Sequence, residues 1–213
     1  MAGPVPELED RAVACAERLC EADRVLLASH IDADGLTSAA IAAQALERAG
    51  IPFETVFEKQ LDEEAIAAIA ATDYETVLFT DFGSGQLDVI GEYEDAGDFT
   101  PIIADHHQPA DRDTEYHLNP LLFGINGASE LSGAGASYVL ARALADVSDS
   151  SPAAATDGGA VADPAGTTAR ADNRDLAALA VVGAVGDMQA AGGDLHGANE
   201  AIVEEGVDAG VLE

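Results

Sequence analysis

Short apolar runs of strand length alternate in the N-terminal half of the chain with segments whose apolar residues recur at helical spacing. Strands are predicted at 24–29, 53–57, 75–82 and 100–104, with helices between them at 35–49, 62–71 and 86–93. Because this alternation is typical of βα units, it predicts an α/β fold with a mainly parallel sheet flanked by helices. Further helices are expected at 7–21, 133–145, 175–185 and 198–206.

Acidic and imidazole side chains stand where these apolar segments end. His30, Asp32 and Asp34 follow the first predicted strand, and in an extended strand end their alternation would place them on one face, converging on a single point. Later segments end in further residues of this kind, namely Asp81, Asp105, His106, His107 and Asp187. Open α/β sheets place their sites at the carboxyl ends of strands. The sequence therefore predicts a divalent metal centre there.

Four motifs in a fixed order resemble a known family. SHIDADG, TDFGSGQ, ADHHQP and GAVGDMQ resemble the motifs of the DHH phosphoesterase superfamily and, within it, the RecJ-like single-strand exonucleases of archaea. The resemblance covers roughly residues 20 to 195, including the segments 117–120 and 133–137. It implies a DHH phosphoesterase domain at 1–147 and 173–197, with 198–213 as the start of a connecting helix. The second, smaller C-terminal domain of RecJ-like enzymes is expected to be absent.

The resemblance implies two metal ions and a ligand set for each. One ion is expected on His30, Asp32 and Asp81. The other is expected on Asp34, Asp81, His106 and Asp187, so that Asp81 bridges the pair. Two ions about 3.5–4 Å apart can activate a water molecule for phosphodiester hydrolysis and neutralise charge on the leaving oxygen. Mixed imidazole and carboxylate ligands favour Mn²⁺, with Mg²⁺, Co²⁺ or Zn²⁺ as alternatives.

The histidine pair and its neighbours suggest the remaining catalytic groups. His107 resembles the family residue that contacts the scissile phosphate and stabilises developing charge, so it is predicted to be catalytic and substrate-binding. Asp105 is predicted to accept the other ring N–H of a histidine and fix its orientation, with a strand-end cap as the alternative. His117 is interpreted as a structural loop histidine rather than a catalytic one.

Three residues of the predicted helix 133–145 are candidate substrate contacts. Gly133 and Gly135 form a glycine-bearing helix start whose N–H groups could bind phosphate, with plain helix entry as the alternative. Arg142 lies two turns further on and could reach a substrate phosphate or pair with a surface carboxylate.

The charge of the chain is strongly one-sided. The net charge is −31, from 40 acidic and nine basic residues, and the one lysine among those nine is Lys59. This pattern is typical of adaptation to molar salt and predicts a halophilic source. Since 48% of the residues are hydrophobic, the chain can bury a core, which argues against general disorder. At about 1 M salt the screening length falls to about 3 Å, so the net charge does not exclude a nucleic-acid substrate.

Residues 148–172 are rich in Ala, Asp, Gly, Ser, Thr and Pro, and we interpret them as a flexible low-complexity insertion, with a substrate-gating lid as the alternative. The sequence shows neither a basic region followed by an apolar core at its start nor an apolar run of membrane-spanning length. We therefore expect a cytoplasmic protein with no membrane partner.

These observations predict a Mn²⁺-dependent, RecJ-like exonuclease that acts on single-stranded DNA or RNA through a water activated by two metals. The expected partners are single-stranded nucleic acid or short oligonucleotides, with replication or repair proteins as further candidates. One alternative is a phosphoesterase for small substrates such as oligonucleotides, 3'-phosphoadenosine 5'-phosphate, cyclic dinucleotides or pyrophosphate. Others are a non-catalytic, Cdc45-like replication scaffold and a fragment of a longer enzyme.

Overall fold

A five-stranded parallel sheet forms the centre of the molecule. The computed structural model describes residues 3–150, 172–190 and 192–213. The sheet has the order β2-β1-β3-β4-β5, and every neighbouring pair is parallel. The strands are β1 (Val25–His30), β2 (Phe53–Glu58), β3 (Thr76–Thr80), β4 (Thr100–Ala104) and β5 (His117–Leu118). The predicted α/β class is confirmed. Strand β5 was not predicted, because two residues are too few to show a period.

Seven α-helices flank the sheet within the described residues. They are α1 (Glu9–Cys20), α2 (Ala33–Ala49), α3 (Glu63–Ala70), α4 (Leu87–Ala96), α5 (Gly133–Ser150), α6 (Ala177–Gly186) and α7 (Ala198–Asp208). Helix α5 continues five residues beyond its predicted end, so residues 148–150 of the predicted insertion are helical. Residues 151–171 of that insertion lie outside the described residues. None of the described helices is long and apolar enough to cross a membrane.

The sheet separates two apolar cores. On β1, Val25 and Leu27 face a core shared with α1, α2, α5 and α6, while Leu26 and Ala28 face a second core shared with α3 and α4. This alternation follows from the two-residue period of a strand. Because both faces are covered, the central strands β1 and β3 are buried over most or all of their length.

The sheet order places the carboxyl ends of β1 and β3 side by side. The chain leaves β1 towards β2 on one side and later returns to β3 on the other, which makes this edge a topological switch point. The Thr80 hydroxyl donates a hydrogen bond of 2.8 Å to the Ser29 hydroxyl, joining the two strand ends. Residues that follow β1, β3 and β4 are therefore brought to one place.

Candidate metal centre

The three residues expected to converge on one point after β1 do not do so. His30 is the last residue of β1, but helix α2 begins at Ala33. Asp32 caps this helix and accepts a hydrogen bond of 2.9 Å from the Gly35 N–H, which places Asp34 in the first helical turn. The expectation of a continuing extended strand was wrong, because the helix cap turns the chain at Asp32. His30 and Asp32 consequently lie in one group of ligand atoms and Asp34 in another.

The first group consists of His30, Asp32 and Asp81, whose ligand atoms lie within 4.8 Å of one another. Nδ1 of His30 is 2.9 Å from Oδ2 of Asp32 and 3.7 Å from Oδ2 of Asp81. Nε2 of His30 lies 3.1 Å from the Lys59 carbonyl oxygen, which can only accept a hydrogen bond. The proton of a neutral ring is therefore held at Nε2, and the lone pair of Nδ1 faces the carboxylates.

The second group consists of Asp34, His106 and Asp187. Nε2 of His106 is 3.6 Å from Oδ2 of Asp34, and its Nδ1 is 3.8 Å from Oδ2 of Asp187. The Gly127 carbonyl lies 2.6 Å from Nδ1 and fixes the proton of a neutral ring there. Asp187 follows helix α6 as its C-cap, which agrees with the helix predicted at 175–185.

Asp81 belongs to the first group and also faces the second. Its Oδ2 faces His30, whereas its Oδ1 is 3.4 Å from Nε2 of His106. The residue is 2% exposed and has a φ of +60°, an uncommon conformation for a residue other than glycine. Neither carboxylate oxygen has a hydrogen-bond partner, and nor does Nε2 of His106.

Buried polar atoms without partners are costly unless a ligand satisfies them. Burial raises the pKa of Asp81, as do the nearby carboxylates of Asp34 and Asp105, although His106 opposes the shift. Burial tends to lower the pKa of His106, but Asp81 and Asp105 outweigh it and raise that pKa. The site therefore attracts positive charge, and its imidazole and carboxylate atoms fit divalent cations.

The start of helix α5 is tied to Asp34 rather than open to a substrate. The N–H groups of Gly133 and Ala134 donate hydrogen bonds of 2.7 and 2.9 Å to the two oxygens of Asp34. A Cβ atom at Gly133 would lie 2.4 Å from Oδ1 of Asp81, so glycine permits a close approach to the site. We therefore do not propose a phosphate contact for Gly133.

The surroundings of Gly135 and Arg142 agree with the alternatives given for them, plain helix entry and pairing with a carboxylate. A Cβ atom at Gly135 would meet the side chain of Leu131 at 2.5 Å, which indicates tight packing. The Arg142 guanidinium is buried, forms an ion pair of 3.0 Å with Glu205 and donates to the Asp172 carbonyl. These contacts join α5 to α7, and neither residue is proposed as a substrate contact.

Asp105 orients the second histidine of the pair. The fully buried carboxylate accepts a hydrogen bond of 2.8 Å from Nδ1 of His107, whereas His106 is oriented by Gly127 instead. Burial would raise the pKa of Asp105, but the hydrogen bond and charge of His107 outweigh it and lower that pKa. The hydrogen bond to Asp105 raises the pKa of His107, whose half-exposed ring keeps Nε2 available.

A buried network that sequence reasoning did not identify supports this pair. The Ser84 N–H donates to Oδ2 of Asp105 at 3.0 Å, and the Asn119 amide donates to both the Ser84 hydroxyl and the His107 carbonyl at 2.9 Å. Because Ser84 Oγ accepts from Asn119, it can donate to Nε2 of His117, 2.8 Å away. His117 is thus held as a neutral structural ring, and burial lowers its pKa to about 4.

Helix α7 reaches the second ligand group through two amides that sequence reasoning also missed. The Gln189 amide donates hydrogen bonds of 2.8 Å to Oδ2 of Asp187 and to the Gly127 carbonyl that orients His106. The Asn199 amide, at the start of α7, donates to Oε1 of Gln189 at 2.6 Å. In the sequence, the position of Gln189 two residues after Asp187 in the GAVGDMQ motif is the one indication of this contact.

A cavity of about 660 Å³ opens beside the first ligand group. His30, Asp81 and His107 are among the residues that line it. Its other walls include Phe82 and the segment 59–62 that follows β2. A small anionic group could therefore reach the ligand cluster and His107 from this side.

The comparisons with known proteins identify the family. The model of the DHH family, N-terminal domain, matches residues 24–157. An uncharacterised protein of Methanocaldococcus jannaschii is 31% identical over 185 residues, which represent 83% of this chain and 35% of that protein. The chain thus spans about a third of the length of this curated relative.

Solved structures share the fold. RecJ from Thermus thermophilus in complex with Mn²⁺ has a TM-score of 0.68 at 24% identity, covering 98% of this chain and 28% of RecJ. Exonuclease RecJ bound to manganese has the same score and identity over 97% of this chain and 49% of that one. CDC45 from Entamoeba histolytica reaches 0.52 at 16% identity, over 97% of this chain and 38% of that one. At these identities the likeness concerns the fold alone, and the family match shows that the chain belongs to the DHH family.

Proposed function

We propose that this chain is a metal-dependent phosphodiester hydrolase that binds two divalent cations. The observation that carries the proposal is the position of Asp81, which is buried with both oxygens unpartnered and lies between His30 and His106. His30, Asp32 and Asp81 would hold one ion, and Asp34, Asp81, His106 and Asp187 the other. When bound, the two ions would supply an activated water and neutralise charge on the phosphate.

Hydrogen bonds within the protein orient the histidines of the site for this chemistry. The carbonyls of Lys59 and Gly127 orient His30 and His106 so that an imidazole lone pair faces the carboxylates. The Asp105 carboxylate holds Nδ1 of His107, so that Nε2 is the ring nitrogen available to a phosphate oxygen. We propose that His107 donates a hydrogen bond to the scissile phosphate and stabilises the charge that develops there.

Single-stranded DNA or RNA is the proposed substrate class, cleaved from an end, with Mn²⁺ as the proposed metal. Support comes from the family membership and from the fold shared with RecJ structures that contain Mn²⁺. Replication or repair proteins are proposed partners. The alternative, a phosphoesterase for small substrates, is favoured by the cavity of about 660 Å³, which suits a short substrate. Residues 3–150, 172–190 and 192–213 offer few cations along which a long strand could lie.

Hydrolysis of defined substrates separates these possibilities. Purified protein in molar KCl with Mn²⁺ is incubated with 5'-labelled single-stranded DNA, the corresponding RNA and a dinucleotide, beside an Asp187→Ala control. Successive release of nucleotides from the long strands by wild type alone supports the exonuclease. Cleavage of the dinucleotide alone supports the small-substrate enzyme.

A non-catalytic scaffold of the Cdc45 type would give no hydrolysis of any substrate while still binding a partner. Calorimetric titration with Mn²⁺ tests the metal centre independently of turnover. A chain that binds fewer than two Mn²⁺ ions per molecule would contradict the two-metal proposal, whatever its activity.

A further inference from the structure

The segment that carries His107 has no regular structure of its own. Residues 105–116 connect β4 to β5 without a helix or a strand, and the ring of His107 is half-exposed. A side chain on such a loop keeps a fixed position only where other elements hold the loop. Asp105 holds the His107 ring and Asn119 holds its carbonyl, so the rest of the loop needs anchors of its own.

The middle of this loop is bound to the turn that precedes α4. The Ala110 N–H donates a hydrogen bond of 2.8 Å to the Ser84 carbonyl, and the Ser84 N–H donates to Oδ2 of Asp105 at 3.0 Å. The Ala110 carbonyl in turn accepts a hydrogen bond of 2.8 Å from the Arg112 N–H. The backbone of Arg112 is thus linked, through this turn, to the carboxylate that orients His107.

The side chain of Arg112 lies across helix α4 at Gly91, the one glycine of that helix. Nη2 of Arg112 donates a hydrogen bond of 2.8 Å to the Gly91 carbonyl and lies 2.9 Å from Oδ1 of Asp95, one turn further on. A Cβ atom at Gly91 would overlap Nε and Cζ of Arg112, so glycine permits this close approach. Two residues later, the Thr114 hydroxyl donates to Oε1 of Glu94 at 2.8 Å. Helix α4 therefore holds the second half of the loop at two points.

We propose that Arg112 and Gly91 form a clip that positions His107 for hydrolysis. Arg112 would be a positioning residue, because it acts through the backbone of the loop and the Ser84 contact to Asp105. The proposal rests on the proposed function, since it requires that His107 acts on the scissile phosphate. A displacement of about 1 Å at a catalytic group can lower the rate by about 10²-fold, so release of the loop should be visible in turnover.

Steady-state hydrolysis by Arg112→Met tests the clip. The substrate is 5'-labelled single-stranded DNA, or the dinucleotide if wild type cleaves only that, in molar KCl with Mn²⁺. We expect kcat to fall about 10- to 100-fold, while KM changes less than about twofold and the number of bound Mn²⁺ ions stays the same. An unchanged kcat, or the loss of a bound Mn²⁺ ion, would overturn the proposal.

Gly91→Ala disrupts the clip from the other side. The added methyl group displaces the guanidinium, which can move away because it ends a flexible side chain, and alanine itself favours the helix. Gly91→Ala should therefore lower kcat to a similar extent as Arg112→Met. In the double variant Gly91→Ala should add nothing further, because the guanidinium is already absent. Losses that multiply in the double variant would show that Gly91→Ala acts on α4 itself and would contradict the clip.

Arg24→Met is the matched control for charge. It removes a guanidinium that pairs with Asp73 just before β1, at the opposite end of the sheet from the ligand groups. Its kcat should equal that of wild type. A fall in kcat as large as with Arg112→Met would assign the effect to net charge instead of the clip.

Amide hydrogen exchange measures the clip without hydrolysis. The Ala110 N–H should exchange at least about tenfold faster in Arg112→Met than in wild type, whereas the amides of β3 should keep their rates. Equal rates at Ala110 would overturn the proposal. Faster exchange in a chain whose wild type hydrolyses none of the substrates would retain the clip as the anchor of the loop and reject the proposed hydrolase.

Discussion

The buried carboxylate of Asp105 and the ring of His107 form a hydrogen bond of 2.8 Å, although the two residues are separated by one position in the chain. The same oxygen also accepts a hydrogen bond of 2.8 Å from the His106 N–H. Asp105 therefore fixes the backbone of one histidine and the side chain of the next.

His107→Gln is expected to lower kcat by about 10²- to 10⁴-fold, because the ring that contacts the phosphate is lost. Binding of Mn²⁺ should keep its stoichiometry in calorimetry. Asp105→Asn should lower kcat by about 10- to 100-fold, since the ring remains but loses its orienting charge. Loss of one bound Mn²⁺ in His107→Gln would instead make His107 a metal ligand.

Asp81→Asn should abolish binding at both metal positions, because one carboxylate serves the two ligand groups. Calorimetric titration with Mn²⁺ measures the number of ions bound. Asp32→Asn is the matched control, since asparagine also caps helices well. Asp32→Asn should weaken Mn²⁺ binding at the first ligand group and leave binding at the second group unchanged. Two normal sites in Asp81→Asn would contradict the bridging role.

Asp81→Asn should also stabilise the metal-free protein. The folded pKa of Asp81 is raised, so wild type loses stability as the pH rises from about 4, the unfolded pKa, towards the folded pKa. The neutral amide of Asp81→Asn avoids this loss. In EDTA at pH 8, urea unfolding should show a free energy of unfolding about 1–3 kcal/mol higher for Asp81→Asn. A lower value would mean that the ionised carboxylate stabilises the fold.

Gln189→Met should weaken Mn²⁺ binding at the second ligand group by about 10- to 100-fold, because Gln189 orients both Asp187 and the Gly127 carbonyl. Calorimetry with two-site fitting measures this change. Asn199→Leu, which removes the amide behind Gln189, should give a smaller effect in the same direction. Unchanged affinity in both variants would show that the amide pair supports only the packing of α7.

His117 should make the fold sensitive to acid. Its folded pKa of about 4 lies below the ordinary value of 6.5, so its contribution is complete above pH 6.5 and is lost as the pH falls towards 4. The loss amounts to up to about 3 kcal/mol. Urea unfolding at pH 7.5 and 4.5 measures it, and His117→Gln should show a smaller difference between the two pH values than wild type. An equal difference would assign the acid sensitivity to other groups.

The sequence alone determined the succession of elements and the residue types of the site. The period of the apolar residues located four of the five strands and all seven described helices. The ordered motifs identified the family and the six ligand candidates. The elements could be predicted because each βα unit is a local pattern. The ligand candidates could be predicted because strand ends in a parallel sheet meet at one edge whatever the detailed packing.

Only the tertiary structure decided how those residues are partnered. The family resemblance already implied that His30 and Asp34 belong to different ligand groups, and the structure adds the reason, which is the start of α2 at Ala33. The hydrogen bonds from α5 to Asp34 and from Asn199 to Gln189 join separate segments, and these contacts leave no period in the sequence. Such contacts arise when distant elements dock, and residue spacing carries no record of them.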